Sequence, residues 1–186
     1  MTDAAGLTTA RLTLRRFTAA DLDWLHGING NAVVKRHMGG PATRAQTEAL
    51  LRDRALDYYD RHPGLGMWVT LERASGAAIG FHLLNNIQGE TDLQVGYVLA
   101  PPYWGKGYAT EMCVALLRYG FTALALPTIT AITDLSNVDS QRVLLKAGLR
   151  RNGERALAHP SYAKAGPLAW FERAGPDWLA EFGEQA

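Results

Sequence analysis

The hydrophobic and polar positions of this chain switch between a two-residue and a helical period. In residues 11–17, Leu12 and Leu14 share one side of an alternating pattern, which predicts a half-buried first strand. Leu22, Leu25 and Ile28 then recur at helical spacing until Asn29-Gly30-Asn31 interrupts them, and Thr18 with Asp21 offers a capping box ahead of that helix. Residues 33–41 are mixed and read as a loop. Thr43 and Gln46 offer another capping box for a second helix, carrying Ala49, Leu50, Leu51, Leu56, Tyr58 and Tyr59 and ending near His62-Pro63. Three β-rich runs follow, residues 67–73, 77–85 and 93–99, separated by short polar turns, and they predict an antiparallel meander.

The third run leads through Pro102-Tyr103-Trp104-Gly105-Lys106-Gly107-Tyr108-Ala109-Thr110-Glu111 into a helix over 111–124, whose apolar stripe is Met112, Cys113, Leu116 and Leu117. Residues 128–133 are a β-branched run and hence a strand, and 137–147 form a helix stopped by Gly148. Residues 150–155 and 168–173 predict a closing hairpin around a long loop with His159, Tyr162 and Lys164. Residues 177–182 add a short helix that lays Trp178 and Leu179 on the core. A chain of 186 residues that is 47% hydrophobic suits one compact α/β domain, residues 1–186.

The formal charge of +1, with basic residues only in doublets such as Arg15-Arg16 and Arg150-Arg151, argues against a nucleic-acid partner. One cysteine, no apolar signal core in residues 1–10 and no run of membrane-spanning length predict a cytoplasmic protein without a membrane partner. Cys113 sits among apolar neighbours and reads as core rather than nucleophile. His26, His37, His62, His82 and His159 have no metal-ligand spacing, so no metal is expected.

The glycine loop carries the chemistry. Gly105 and Gly107 tolerate backbone angles closed to other residues, and their position at a helix start lets successive N–H groups converge on a pyrophosphate. Thr110 stands where a dinucleotide-binding fingerprint needs its third glycine, and Gly107 where a P-loop needs Ser or Thr.

Here the chain resembles the GNAT acetyltransferase superfamily, whose signature is Arg or Gln, two variable residues, Gly, one variable residue, then Gly or Ala. Gly107 and Ala109 fill the last two places, and Trp104 in the first looks like the RimJ/RimL-like branch, which acetylates protein N-termini and other primary amines. Asn137, Ser140, Lys146 and Gly148 are similar to the family's second signature, so the resemblance extends over residues 9–172. It implies a mixed, mostly antiparallel sheet of about seven strands flanked by helices. It also implies acetyl-CoA as acyl donor, an amine acceptor as the other partner and direct attack in a ternary complex, with a homodimer left open.

Carried over residue by residue, the resemblance assigns cofactor contacts to Trp104, Gly105, Lys106, Gly107, Tyr108, Ala109, Asn137 and Lys146. It gives a backbone N–H of Val98 or Leu99 the thioester carbonyl, and makes Ser140 the proton donor to the departing thiolate. His37 and Tyr162 are assigned to the acceptor, from the loops that border its cleft in the family. The glutamate common on the strand before the loop is replaced by Gln94, which leaves Asp92, Asp134, His82, His159 or solvent to take the amine proton, and Leu144 stands where many members carry a tyrosine. Two alternatives follow from these departures: a non-catalytic acyl-CoA-sensing domain, or a transferase with another acyl donor.

Overall fold

The computed structural model describes residues 3–183, so the expected domain bounds at residues 1 and 186 lie outside the described residues. Seven strands form one sheet in the order β1-β2-β3-β4-β5-β7-β6. Strands β1 (Leu12–Arg16), β2 (Gly66–Glu72), β3 (Ala78–Asn86) and β4 (Leu93–Leu99) run antiparallel as a meander. Helix α5 (Tyr108–Thr122) crosses over to β5 (Thr128–Asp134), which lies parallel to β4. Strand β7 (Leu168–Ala174) pairs antiparallel with both β5 and β6 (Arg150–Arg155), closing the hairpin at the far edge.

The register decides which side chains share a face. Trp68, His82 and Tyr97 stand opposite one another on β2, β3 and β4, so all three point to one side, under α5. Met112, Cys113, Leu116 and Leu117 of α5 are fully buried there. On the other side Phe81 meets Phe17 edge-on, with ring centroids 6.2 Å apart, below α1 (Leu22–Asn29).

The capping signals fold as their chemistry dictates. Thr43 Oγ1 accepts from the Gln46 N–H at 3.2 Å while the Gln46 side chain accepts from the Thr43 N–H at 2.8 Å, starting α3 (Arg44–Leu51). That helix passes through a π-helical stretch, Arg52–Leu56, into α4 (Asp57–Arg61) and stops at His62, where the following proline disfavours helical angles. Within the expected loop the structure adds one short turn of helix, α2 (Ala32–Lys35), because the Asn31 side chain accepts from the N–H groups of Val33 and Val34. Helix α6 (Val138–Lys146) is followed by α7 (Gly175–Phe182), whose buried Trp178 donates its indole N–H to the Ala147 carbonyl at 2.8 Å.

Strands β4 and β5 are parallel neighbours at one registered pair only, Gln94 with Thr130. Beyond it they diverge toward the glycine loop. The sheet opens into a wedge there, between the end of β4, the start of α5 and the start of α6.

Candidate active site

Helix α5 begins three residues earlier than the sequence pattern suggests, because Gly107 adopts a left-handed backbone (φ 80°) and acts as its N-cap, with Gly105 also left-handed (φ 73°). An ordinary side chain at either position would be strained. Gly107 gives no side-chain cap, so the first-turn N–H groups stay available to an anion, and the helix dipole favours one. Arg11, just before β1, clamps this loop from outside. Its guanidinium donates to the Lys106 carbonyl at 2.9 Å and to Glu111 at 2.7 Å, and lies 4.5 Å from the centre of the Tyr108 ring. Turning the Lys106 carbonyl outward leaves the inner side of the loop to N–H groups.

The Trp104 indole N–H donates to the Leu99 carbonyl at 2.7 Å, tying the loop to the end of β4. The Ala100 N–H bonds the Ile79 carbonyl, so by strand alternation the Val98 N–H faces β3 and the Leu99 N–H faces the wedge. Of the two residues expected to offer a backbone donor, only Leu99 is aimed at the opening; Val98 is used by the ladder.

A cavity of about 420 Å³ fills the wedge. It is lined by Trp104, Gly105, Gly107, Tyr108 and Ala109 of the loop, by Asn137, Ser140 and Lys146 of α6, by Val98 and Leu99, and by His37. Asn137 is the N-cap of α6, its side chain accepting from the Ser140 N–H at 3.2 Å. Asn137 thus takes the helix-capping role, which leaves the Ser140 hydroxyl to the cavity that Ser140 and Tyr97 both line. Burial pushes the Tyr97 phenol well above its ordinary value, and the Ser140 contact partly offsets this. Tyr97 was not singled out from the sequence, although the Gly96-Tyr97 pair marks its position.

Two expected contacts lie elsewhere. The Lys106 ammonium rests 5.3 Å from the centre of the Tyr103 ring, outside the cavity lining, drawn by the electron-rich ring face. Tyr162 lies by the β3–β4 turn, with Gln88, Arg54 and Glu90 nearby, beside a separate cleft on that side of the molecule. The long loop of the closing hairpin folds toward that turn instead of the wedge.

The proposed substitutes for the missing glutamate also separate. His82 is fully buried, its Nδ1 2.7 Å from Thr70 Oγ1, and burial pushes its imidazole down to about 3. Its Nε2 faces the Ala109 carbonyl but has no partner within hydrogen-bond distance. His159 accepts from the Ser161 N–H and lines the separate cleft. Asp92 precedes β4 at the end away from the loop, roughly 20 Å from Leu99 at the usual strand rise. Only Asp134 comes near the wedge, outside the cavity lining but 3.9 Å from His37, which lines it. Its carboxylate accepts from the Ser136 hydroxyl at 2.5 Å and from the Ser136 N–H at 2.8 Å, which together with His37 hold it below the usual carboxylate range. Cys113 is fully buried, and burial pushes its thiol up, as its apolar neighbours led one to expect.

A parallel pair of strands that splays open, with a glycine-capped helix start at the wedge and a backbone donor beside it, defines an acyl-CoA-dependent acyltransferase. The family model described as acetyltransferase (GNAT) domain matches residues 11–150. The chain belongs to that family and is an acyl-CoA-dependent acetyltransferase with acetyl-CoA as donor. It is similar to the uncharacterized N-acetyltransferase YnaD of Bacillus subtilis (strain 168), with 30% identity over 148 residues, 79% of this chain and 84% of the relative. Among solved structures, a putative ribosomal-protein-serine acetyltransferase from Vibrio cholerae has the same fold, with a TM-score of 0.73, 20% identity and coverage of 94% of this chain and 99% of that one. So does the spermidine N-acetyltransferase from Vibrio cholerae in complex with CoA and spermine, with a TM-score of 0.70, 20% identity and coverage of 92% and 99%.

Proposed function

We propose that the chain works as one domain that moves the acetyl group from acetyl-CoA to a primary amine, and that the acceptor is a peptide N-terminus, as in the RimJ/RimL-like branch. The wedge beyond the single Gln94–Thr130 pair carries the transferase reading, since it brings the glycine loop, the Leu99 N–H and Ser140 to one cavity. The loop fits a pyrophosphate by its left-handed glycines and first-turn N–H groups, with Lys146 and Arg142 of α6 as cations on the opposite wall. The bound cofactor supplies an acetyl thioester. Leu99 donates its N–H to the carbonyl oxygen as negative charge builds there, and the hydroxyls of Ser140 and Tyr97, which line the same cavity, return a proton to the thiolate.

Charge supports the peptide acceptor. The entrance is apolar, with Val33, Met38 and Trp104 half exposed, and Arg36 lies 5.6 Å from the centre of the Trp104 ring. Asp139 is the only acid lining the cavity among the described residues, and it is paired with Arg142 at 3.3 Å. A polyamine or aminoglycoside brings further cations that need carboxylates, whereas a neutral N-terminal side chain suits an apolar rim.

The test is thiol release from acetyl-CoA against peptides with free N-termini, polyamines, amino acids and aminoglycosides, with CoA binding measured in parallel. Release stimulated by peptides supports the reading. Stimulation by spermidine alone would replace it with the polyamine reading, and tight CoA binding without release from acetyl-CoA or other acyl donors would favour the sensing-domain alternative.

A further inference from the structure

His37 lies on the segment after α2, which is held by the Met38 and Gly40 N–H groups on the Lys35 carbonyl and by the Ala42 N–H on the Asn29 carbonyl. The imidazole lines the cavity and is three-quarters buried. Its Nδ1 is 3.0 Å from Ser136 Oγ and 3.9 Å from Asp134 Oδ1, so residues from two distant parts of the chain converge at the end of β5.

The hydrogen bonds assign the tautomer. The Ser136 hydroxyl spends its single proton on Asp134 at 2.5 Å, so towards His37 it can only accept. His37 therefore donates from Nδ1, and the lone pair of the neutral ring is left on Nε2. A histidine so oriented, at the edge of the cavity that holds the reacting groups, has the arrangement of a general base positioned by a carboxylate.

We infer that His37 Nε2 is the general base for the acceptor amine, with Ser136 and Asp134 as positioning residues that replace the strand glutamate absent at Gln94. The inference rests on the transferase reading above. In the step the amine nitrogen forms the C–N bond with the acetyl carbon, the C–S bond breaks with its electron pair on sulfur, His37 takes the amine proton, and the Ser140–Tyr97 pair supplies a proton to the sulfur. No further reactant is needed. Around the imidazole the charged groups are Asp134 of β5, Arg36 of its own segment, and Asp139, Arg142 and Lys146 of α6, with the neutral phenol of Tyr97 on β4. Arg36 is turned onto Trp104 and Arg142 onto Asp139, so Asp134 is the partner in direct reach.

The experiment is the pH dependence of kcat/KM, with the acceptor found in the panel above, for the wild type, His37→Gln and Asp134→Asn, together with CoA affinity. The wild-type profile should have a limb that rises with pH, as a general base requires. His37→Gln should lose about 100-fold in kcat, lose that limb and keep CoA affinity within about twofold. Asp134→Asn should lose about tenfold in kcat and keep CoA affinity within about twofold, because the Ser136 hydroxyl loses the acceptor that makes it take the proton of His37 Nδ1. A limb that persists in His37→Gln overturns the assignment whether or not the rate falls, and an unchanged kcat in Asp134→Asn, or a fall matched by lost CoA affinity, removes the positioning role. Wild-type protein without acceptor-dependent release would instead sink the transferase reading, and the base with it.

Discussion

Tyr97 shows how much chemistry one residue gains from its register. On β4 its ring lies beside His82, with centroids 5.7 Å apart, and it lines the same cavity as Ser140. Replacing either hydroxyl should slow the chemical step without weakening cofactor binding: Tyr97→Phe and Ser140→Ala are each expected to lower kcat about tenfold or more, with the KM for acetyl-CoA changed less than about twofold. If the two act as one relay, the double variant should be little worse than the poorer single one, and steady-state kinetics of all four proteins checks this. Asp21 makes a separate case for stability. It accepts from both terminal nitrogens of Arg15, at 2.9 and 2.7 Å, and from the Thr18 N–H at 2.8 Å, and the Arg15 bonds lead in holding its carboxyl below the ordinary value. A depressed carboxyl stabilises the fold above its unfolded value, and that stabilisation fades as pH falls through the folded one. Asp21→Asn is therefore expected to cost about 1–3 kcal/mol in urea unfolding at neutral pH, with the gap to wild type closing as pH falls below the ordinary carboxylate range.

At the level of elements, the start of α5 is where backbone and ligand meet. Gly107 has φ 80° and serves as N-cap, and a Cβ there would stand 3.4 Å from the Arg11 guanidinium. Gly107→Val is expected to reduce CoA affinity at least about 100-fold, since a β-branched residue disfavours the left-handed angle that presents the loop's N–H groups. Calorimetric titration with CoA checks it, and retained affinity would remove the loop from the site. Much of this element was legible beforehand: the glycine spacing, the apolar stripe and the second signature from Asn137 to Gly148 all lie within short windows. The early start of α5 was not, because a glycine N-cap leaves no side-chain signal of the kind Thr43 and Gln46 supply. Lys106 and Tyr162 were misplaced for a related reason. A long basic or aromatic side chain beside a motif can turn to either side, and only its neighbours, Tyr103 and the β3–β4 turn, decide which.

For the whole molecule, the divergence of β4 and β5 leaves strand edges that a ladder would otherwise satisfy, and the cofactor arm is the expected occupant. Binding should then stabilise the entire fold. At a CoA concentration 100 times its Kd, linkage gives about 2.7 kcal/mol, or roughly 5–10 °C in Tm for a chain of this size. Differential scanning fluorimetry against CoA measures the shift, and hydrogen exchange should place new protection at residues 97–100 and 107–110. No helix among the described residues is long and apolar enough to cross a membrane.

The sequence by itself determined the order of strands and longer helices, the antiparallel meander, the Thr43 and Gln46 cap and the acyl-CoA signature, because each depends on periods and spacings within about twenty residues. The tertiary structure alone decided that Leu99 and not Val98 faces the wedge, that Tyr97 shares a cavity with Ser140, and that His37 meets Asp134 across 97 positions of chain. Those pairings depend on strand register and on how far two strands splay. Both are set by the packing of α5 and α6 against the whole sheet, which no local pattern encodes.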